Sequence, residues 1–179
     1  AWSSLALAAT GMAILTLHDH NRLDVLVGFA AVGAGVAAFW MHAALTSWAA
    51  RLDGAGVAVV TAALAARAWS QRVPAEPALV VAAMLIGLGI AIGTPALNGI
   101  SLVFGTAAVA GIIAGCRGVS TRPLAAAALL MAAGGLLWWL GRSEGPWCRP
   151  DGFIVHAVWH MMAAAALATG WMQLRRCSA

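Results

Sequence analysis

An all-α membrane protein, built as a bundle of seven spanning helices, is the fold that three features of the sequence predict. Of the 179 residues, 63% are hydrophobic and only 9% are charged, whereas a soluble domain carries about 25% charged residues. The mean hydropathy is +0.89. The polar residues are gathered in short breaks between apolar runs. This composition excludes a soluble globular enzyme, a disordered chain and a coiled coil.

Each of the seven apolar runs approaches the roughly 20 residues that a spanning helix needs. We predict a single domain over residues 1–179, with spans at about 1–17, 25–46, 53–69, 78–93, 96–115, 123–140 and 153–174. The first run has no basic segment before it, so it is interpreted as a span and not as a signal peptide. The run from 78 to 116 is too long for one span and is divided at Gly93-Thr94-Pro95.

The arginines predict an orientation with the N-terminus outside and the C-terminus inside. All ten basic residues are arginine, and with the N-terminus outside, seven of them lie on the inner side and three on the outer side. The seven are Arg22, Arg67, Arg72, Arg117, Arg122, Arg175 and Arg176, and the three are Arg51, Arg142 and Arg149. The net charge of +4 therefore reflects loop anchoring, and no nucleic-acid partner is expected. The absence of lysine and the many alanines favour a bacterial inner membrane.

Three histidines lie inside predicted spans, where ionisable side chains are costly and mark functional sites. His156 and His160 are four residues apart, so both project from one face of the seventh helix. They begin a span that runs inward from the outer surface. His42 lies near the outer end of the second span, which runs outward. The arginine count therefore predicts that all three rings share one depth, in the outer third of the bilayer.

Three neutral imidazoles with one open position are a common catalytic zinc site, and a nearby carboxylate can accept the proton of an attacking water. Asp53 follows His42 by eleven residues, about 16 Å along one helix. A chain reversal in the sequence RLDG at 51–54 would bring Asp53 back to the depth of His42 and make it the N-cap of the third helix. The alternative for His42 alone is a polar residue that packs against a neighbouring helix.

Two segments of the sequence resemble the alkaline ceramidase family. This family lies within a superfamily of seven-span metal-dependent hydrolases that includes the adiponectin receptors and the hemolysin III-like proteins. The segments read GAGVAAFWMHAALTSWAARLDG and WCRPDGFIVHAVWHMMAAAAL. The positions that match the family pattern are Gly33, Gly35, His42, Leu52, Asp53, His156, Trp159 and His160. Phe39 corresponds to the phenylalanine of the pattern, which is adjacent to the first histidine in the family and lies three residues before it here. The family pattern also has a serine one helical turn before the first histidine, where this sequence has Ala38.

The resemblance implies a zinc-dependent intramembrane hydrolase that cleaves the amide bond of a ceramide-like N-acyl lipid. In this reading His42, His156 and His160 bind Zn²⁺, and Asp53 handles the proton. The lipid substrate enters sideways from the bilayer, toward a site on the non-cytoplasmic side. Trp40 and Trp159 flank two of the ligands and are candidates for contact with the lipid.

The sequence is also compatible with three other functions. A lipid esterase would use the same activated water on a different carbonyl. A haem-binding membrane protein would use two histidines on facing helices as axial ligands, although this leaves the third histidine unexplained. A receptor or structural protein would use a non-catalytic zinc to join the second and seventh helices. The oligomeric state is left open.

Overall fold

The computed structural model describes residues 2–17, 21–73, 83–85, 97–115, 122–141 and 153–178. These residues are helical apart from short turns, which confirms the predicted all-α fold class. The elements are a 3-10 turn (Trp2–Ser4), α1 (Leu5–Leu17), α2 (Arg22–Ala44), α3 (Ser47–Trp69), α4 (Leu97–Gly115), α5 (Arg122–Gly141) and α6 (Phe153–Ser178). The predicted span at 78–93 lies outside the described residues except for 83–85. The number of spans therefore stays a prediction.

Three of the described helices, α2, α3 and α5, are long and apolar enough to cross a membrane. Two shorter apolar stretches are Trp2–Leu17 and Val103–Gly115. Large apolar side chains lie on the outside of these helices: Phe29 on α2 is 63% exposed and Leu129 on α5 is 70% exposed. Such an apolar exterior suits contact with lipid better than contact with water.

The turn between α2 and α3 differs from the sequence prediction. Leu45 adopts the left-handed conformation (φ 51°) and donates its backbone N–H to the carbonyl of Met41, an arrangement that ends a helix. The Thr46 side chain then accepts a hydrogen bond from the backbone N–H of Ala49, as a helix N-cap does. The reversal is therefore at 45–46 and not at 51–54. The prediction that Asp53 caps the third helix was wrong, because α3 begins six residues earlier.

Small residues allow the helices to approach closely. A Cβ atom placed on Gly35 of α2 would lie 2.5 Å from the backbone nitrogen of Ala8 on α1. A Cβ atom on Gly11 of α1 would lie 2.6 Å from the carbonyl oxygen of Gly28 on α2. Neither side chain would fit without a backbone shift, so α1 and α2 are in backbone contact at this crossing. Because the N-terminal 3-10 turn directly precedes α1, this packing places the turn against α2 near its C-terminal end.

Two apolar clusters form the core of the described bundle. One joins α1, α2, α3 and α6, and the other joins α3, α4, α5 and α6. Their buried members are Ile14, Val27, Ala31, Ala34, Val60, Ala63, Leu167 and Trp171 in the first, and Ala68, Ile112, Leu124 and Leu174 in the second. The helix α6 contributes to both clusters, and it packs against α1 and the 3-10 turn. Its first turns therefore lie beside the 3-10 turn.

A buried ion pair joins three helices at the end of the bundle where α2 begins. The Arg67 Nε atom on α3 donates to Asp24 Oδ1 on α2 at 2.8 Å, and the Trp171 indole on α6 donates to the same oxygen at 3.1 Å. The Arg67 and Asp24 side chains are 4% and 2% exposed. The prediction that Arg67 is an inner-side loop anchor was therefore wrong, because its charge is compensated inside the bundle.

Candidate metal centre

Three imidazole rings converge where the end of α2 meets the beginning of α6. His42 lies in the last turn of α2, and His156 and His160 lie in the first turns of α6. The ring centroids are 4.9 Å apart for His42 and His156, 5.0 Å for His42 and His160, and 4.8 Å for His156 and His160. The predicted convergence of the three histidine rings is confirmed, while their depth in a bilayer stays a prediction. Their role as metal ligands stays a prediction.

The spacing of the ring nitrogens fits a single metal ion. One nitrogen from each histidine lies within 4.8 Å of the other two. The Nε2 atoms of His42 and His160 are 3.5 Å apart, close to the roughly 3.3 Å that separates two nitrogens bound to one tetrahedral zinc at 2.0–2.1 Å. The Nε2 atom of His156 is buried and has no hydrogen-bond partner among the described residues. A cation bound to this nitrogen would offset the free-energy cost of burying it without a hydrogen-bond partner.

Two serines that the sequence analysis missed contact the remaining nitrogen of His160. The Oγ atoms of Ser3 and Ser4 lie 3.0 Å and 3.2 Å from His160 Nδ1. Both serines belong to the 3-10 turn that precedes α1. The chain separation of more than 150 residues explains why no local pattern could have identified them. The one available signal was a pair of polar residues in the first apolar run.

Asp53 lies on α3, next to the helix that carries His42. His42 precedes the end of α2 by two residues, and Asp53 follows the start of α3 by six. At 1.5 Å per residue the two positions differ in depth by about 6 Å. Asp53 is half-buried and is not part of the three-histidine cluster. Its role as proton acceptor stays a prediction, and the chain reversal that returns it to this depth is at 45–46 and not at 51–54.

The two tryptophans that flank the histidines point to different surroundings. Trp40 is 55% exposed and lines an apolar groove of about 700 Å³ between α2 and α3 together with Trp48 and Leu52. Positions 40 and 42 are about 200° apart around a helix, so this groove and His42 are on opposite sides of α2. Trp159 packs against α5, where a Cβ atom on Gly134 would lie 2.8 Å from its ring. Contact of either tryptophan with a lipid stays a prediction.

No protein-family model, no curated protein and no solved structure matches this chain. The resemblance to the alkaline ceramidases therefore rests on the matching residues quoted above. The geometry of the histidine cluster stands independently of that resemblance.

Proposed function

We propose that this protein is a zinc-dependent hydrolase of the membrane that cleaves the amide bond of a ceramide-like N-acyl lipid. The observation that supports the proposal best is the cluster of His42, His156 and His160, with one ring nitrogen of each within 4.8 Å of the others. The three residues come from two helices at one end of the bundle. They match the histidines of the alkaline ceramidase pattern in both spacing and order.

The residues of the chain would divide the work between holding a metal and moving a proton. His42, His156 and His160 hold a divalent ion, which when bound acidifies water and polarises a carbonyl oxygen. Asp53 accepts a proton from the attacking water and delivers it to the leaving nitrogen. Water adds to the amide carbon, the carbon–nitrogen bond breaks, and the products are a fatty acid and a long-chain amine. Because the cluster lies between apolar helices, the lipid would reach it from the bilayer.

The spacing of the rings favours a metal ion over a haem. A haem with two histidine ligands requires its flat macrocycle to lie between the two rings. The centroids of every pair of rings are at most 5.0 Å apart, which leaves no room for a macrocycle between any two of them. A purified protein with no Soret absorption is the expected result.

Turnover of a fluorescent ceramide by the purified protein, together with its zinc content, tests the proposal. We expect one zinc per chain in the wild type and in Asp53→Asn, and turnover in the wild type alone. His42→Ala is expected to lose both zinc and turnover. These results would distinguish a hydrolase from a protein in which zinc only joins α2 and α6.

The controls address fold and substrate class. Thr61→Val changes a half-buried hydroxyl on α3 that, among the described residues, bonds to carbonyls of its own helix, and it should retain both zinc and turnover. An ester analogue of the same lipid separates amide from ester hydrolysis. Zinc and turnover that both survive in His42→Ala would contradict the proposal.

A further inference from the structure

The N-terminal 3-10 turn covers one side of the histidine cluster. Ser3 and Ser4 place their hydroxyl oxygens 3.0 Å and 3.2 Å from Nδ1 of His160. Ser4 is 1% exposed and His160 is 8% exposed, so water cannot readily replace these contacts. On the other side of the same ring, Nε2 lies 3.5 Å from Nε2 of His42. His160 is thus held through one nitrogen, while its other nitrogen faces the cluster.

The chemistry of imidazole determines which ring nitrogen of His160 can bind a metal ion. A neutral histidine carries a proton on one ring nitrogen and a lone pair on the other, and only the nitrogen with the lone pair can bind a metal. A histidine ligand usually donates its second N–H to an acceptor, which fixes both the tautomer and the ring orientation. A hydroxyl oxygen is such an acceptor. For His160 the two serine oxygens are in position to accept from Nδ1–H, which leaves the lone pair on Nε2.

Contacts elsewhere in the fold fix the position of the serines. The Trp2 ring meets the Phe39 ring edge-on at 5.6 Å, which joins the 3-10 turn to α2 three residues before His42. One turn before Phe39, Gly35 allows α1 and α2 into backbone contact at Ala8. The turn is therefore attached to the helix that carries His42, while its serines contact the helix that carries His160.

We infer that Ser3 and Ser4 are positioning residues of the metal centre, which accept the Nδ1–H of His160 and so direct the Nε2 lone pair at the ion. The inference rests on the metal site of the proposed function and adds residues to it from the N-terminal turn. It assigns no catalytic step to either serine.

Metal affinity of the detergent-solubilised protein tests the inference without any need for activity. Co²⁺ binding is followed by its visible absorption, and zinc affinity by competition. Ser3→Ala/Ser4→Ala is expected to bind either metal 10- to 100-fold more weakly, the usual consequence of removing a partner of a histidine ligand. The Ser3→Thr/Ser4→Ala variant, which keeps a hydroxyl at position 3, should have most of the metal affinity that Ser3→Ala/Ser4→Ala loses. Thr10→Val, which removes an α1 hydroxyl bonded to its own helix, should leave the affinity unchanged.

A second measurement covers the case in which the double variant folds poorly. Ser3 is only half-buried, so Ser3→Ala alone should fold, and ¹⁵N NMR of histidine-labelled protein reports the protonated nitrogen of His160 directly. We expect a proton on Nδ1 in the wild type, and a tautomer mixture or a shifted signal in Ser3→Ala. A proton on Nε2 in the wild type would overturn the inference.

The two proposals fail in different ways. Equal metal affinity in the wild type and the double serine variant overturns the role of the serines and leaves the hydrolase proposal standing. Weakened metal binding in the double variant, with no ceramide turnover in the wild type, supports the role of the serines and contradicts the hydrolase proposal.

Discussion

His156 carries a buried ring nitrogen, Nε2, that has no hydrogen-bond partner among the described residues. A buried polar atom without a partner costs about 1–3 kcal/mol. In metal-free protein, His156→Leu should therefore raise the free energy of unfolding, by about 1 kcal/mol. With zinc at a hundred times the dissociation constant, the wild type should gain about 2.7 kcal/mol, while His156→Leu gains far less. Thermal unfolding with chelator and with zinc measures both effects.

The control for this comparison lies on the same helix. Thr169 is an α6 residue whose hydroxyl bonds to the carbonyl of Ala165, away from the cluster. Thr169→Val should show the same zinc-dependent stabilisation as the wild type. A His156→Leu protein that is as strongly stabilised by zinc as the wild type would show that His156 is not a ligand.

The individual residues of the site were predictable to different degrees. The three histidines stand out because an ionisable side chain is costly in an apolar run and because spacing of four places two of them on one helix face. Ser3 and Ser4 carry no such signal, since a hydroxyl is common at a helix start and its partner is far away in the chain. Asp24 is similar: its partner Arg67 is 43 residues distant, so the ion pair depends on packing that no local pattern encodes.

At the scale of the helices, two glycines of the resemblance motif have different structural roles. A Cβ atom on Gly35 would lie 2.5 Å from the backbone of Ala8, whereas one on Gly33 would meet nothing within 4 Å. Gly35→Ala should therefore separate α1 from α2 and lower the free energy of unfolding by about 1–3 kcal/mol. Gly33→Ala should raise it by up to about 1 kcal/mol, because alanine favours a helix over glycine. Chemical unfolding of both variants in one detergent measures the difference.

The Gly35→Ala and Gly33→Ala variants also test whether the contact between α1 and α2 supports the metal centre. Gly35 is the residue of α2 that contacts α1 at Ala8, close to the N-terminal turn. Gly35→Ala should therefore weaken zinc binding as the serine variants do. Gly33→Ala should bind zinc as the wild type does. Equal stability of the two variants would show that α1 and α2 are not in backbone contact at Gly35.

The α2–α3 turn shows why helix ends are harder to predict than helices. The charged run RLDG suggested a break, but charged and glycine residues are tolerated in the first turns of a helix when a cap precedes them. Thr46 and Ser47 were the informative signal, as threonine is a preferred N-cap. Leu45 gave none, because a leucine in the left-handed conformation is rare and composition does not reveal it.

At the scale of the whole molecule, composition alone was sufficient for the helical fold class. With 63% hydrophobic and 9% charged residues, the chain has too few polar side chains to cover a water-exposed surface. The number of spans depends on residues 78–93, which the described part of the structure barely includes. Helix partners could not be predicted, because contacts among alanines and glycines depend on backbone shape and not on distinctive side chains.

The orientation in the membrane is the last prediction at this scale. Without the buried Arg67, six arginines remain on the predicted inner side against three on the outer side, and this asymmetry still favours an outside N-terminus. Ser47 lies just after the α2–α3 turn, near the histidines. Val73 follows α3 at the opposite end and is 58% exposed. Each can be changed to cysteine and labelled in intact cells with a membrane-impermeant maleimide, with the parent chain as the background.

We expect Ser47→Cys to be labelled in intact cells, and Val73→Cys only after the membrane is permeabilised. This result would place the histidine cluster toward the non-cytoplasmic side. The reverse labelling would mean that the arginine count fails for this chain. The reverse labelling would also place the end of α6 on the non-cytoplasmic side. That placement would agree with the disulfide bond of Cys177, near the end of α6, since disulfides persist in oxidising compartments such as the periplasm. A lipid substrate would then have to reach the cluster from the cytoplasmic leaflet.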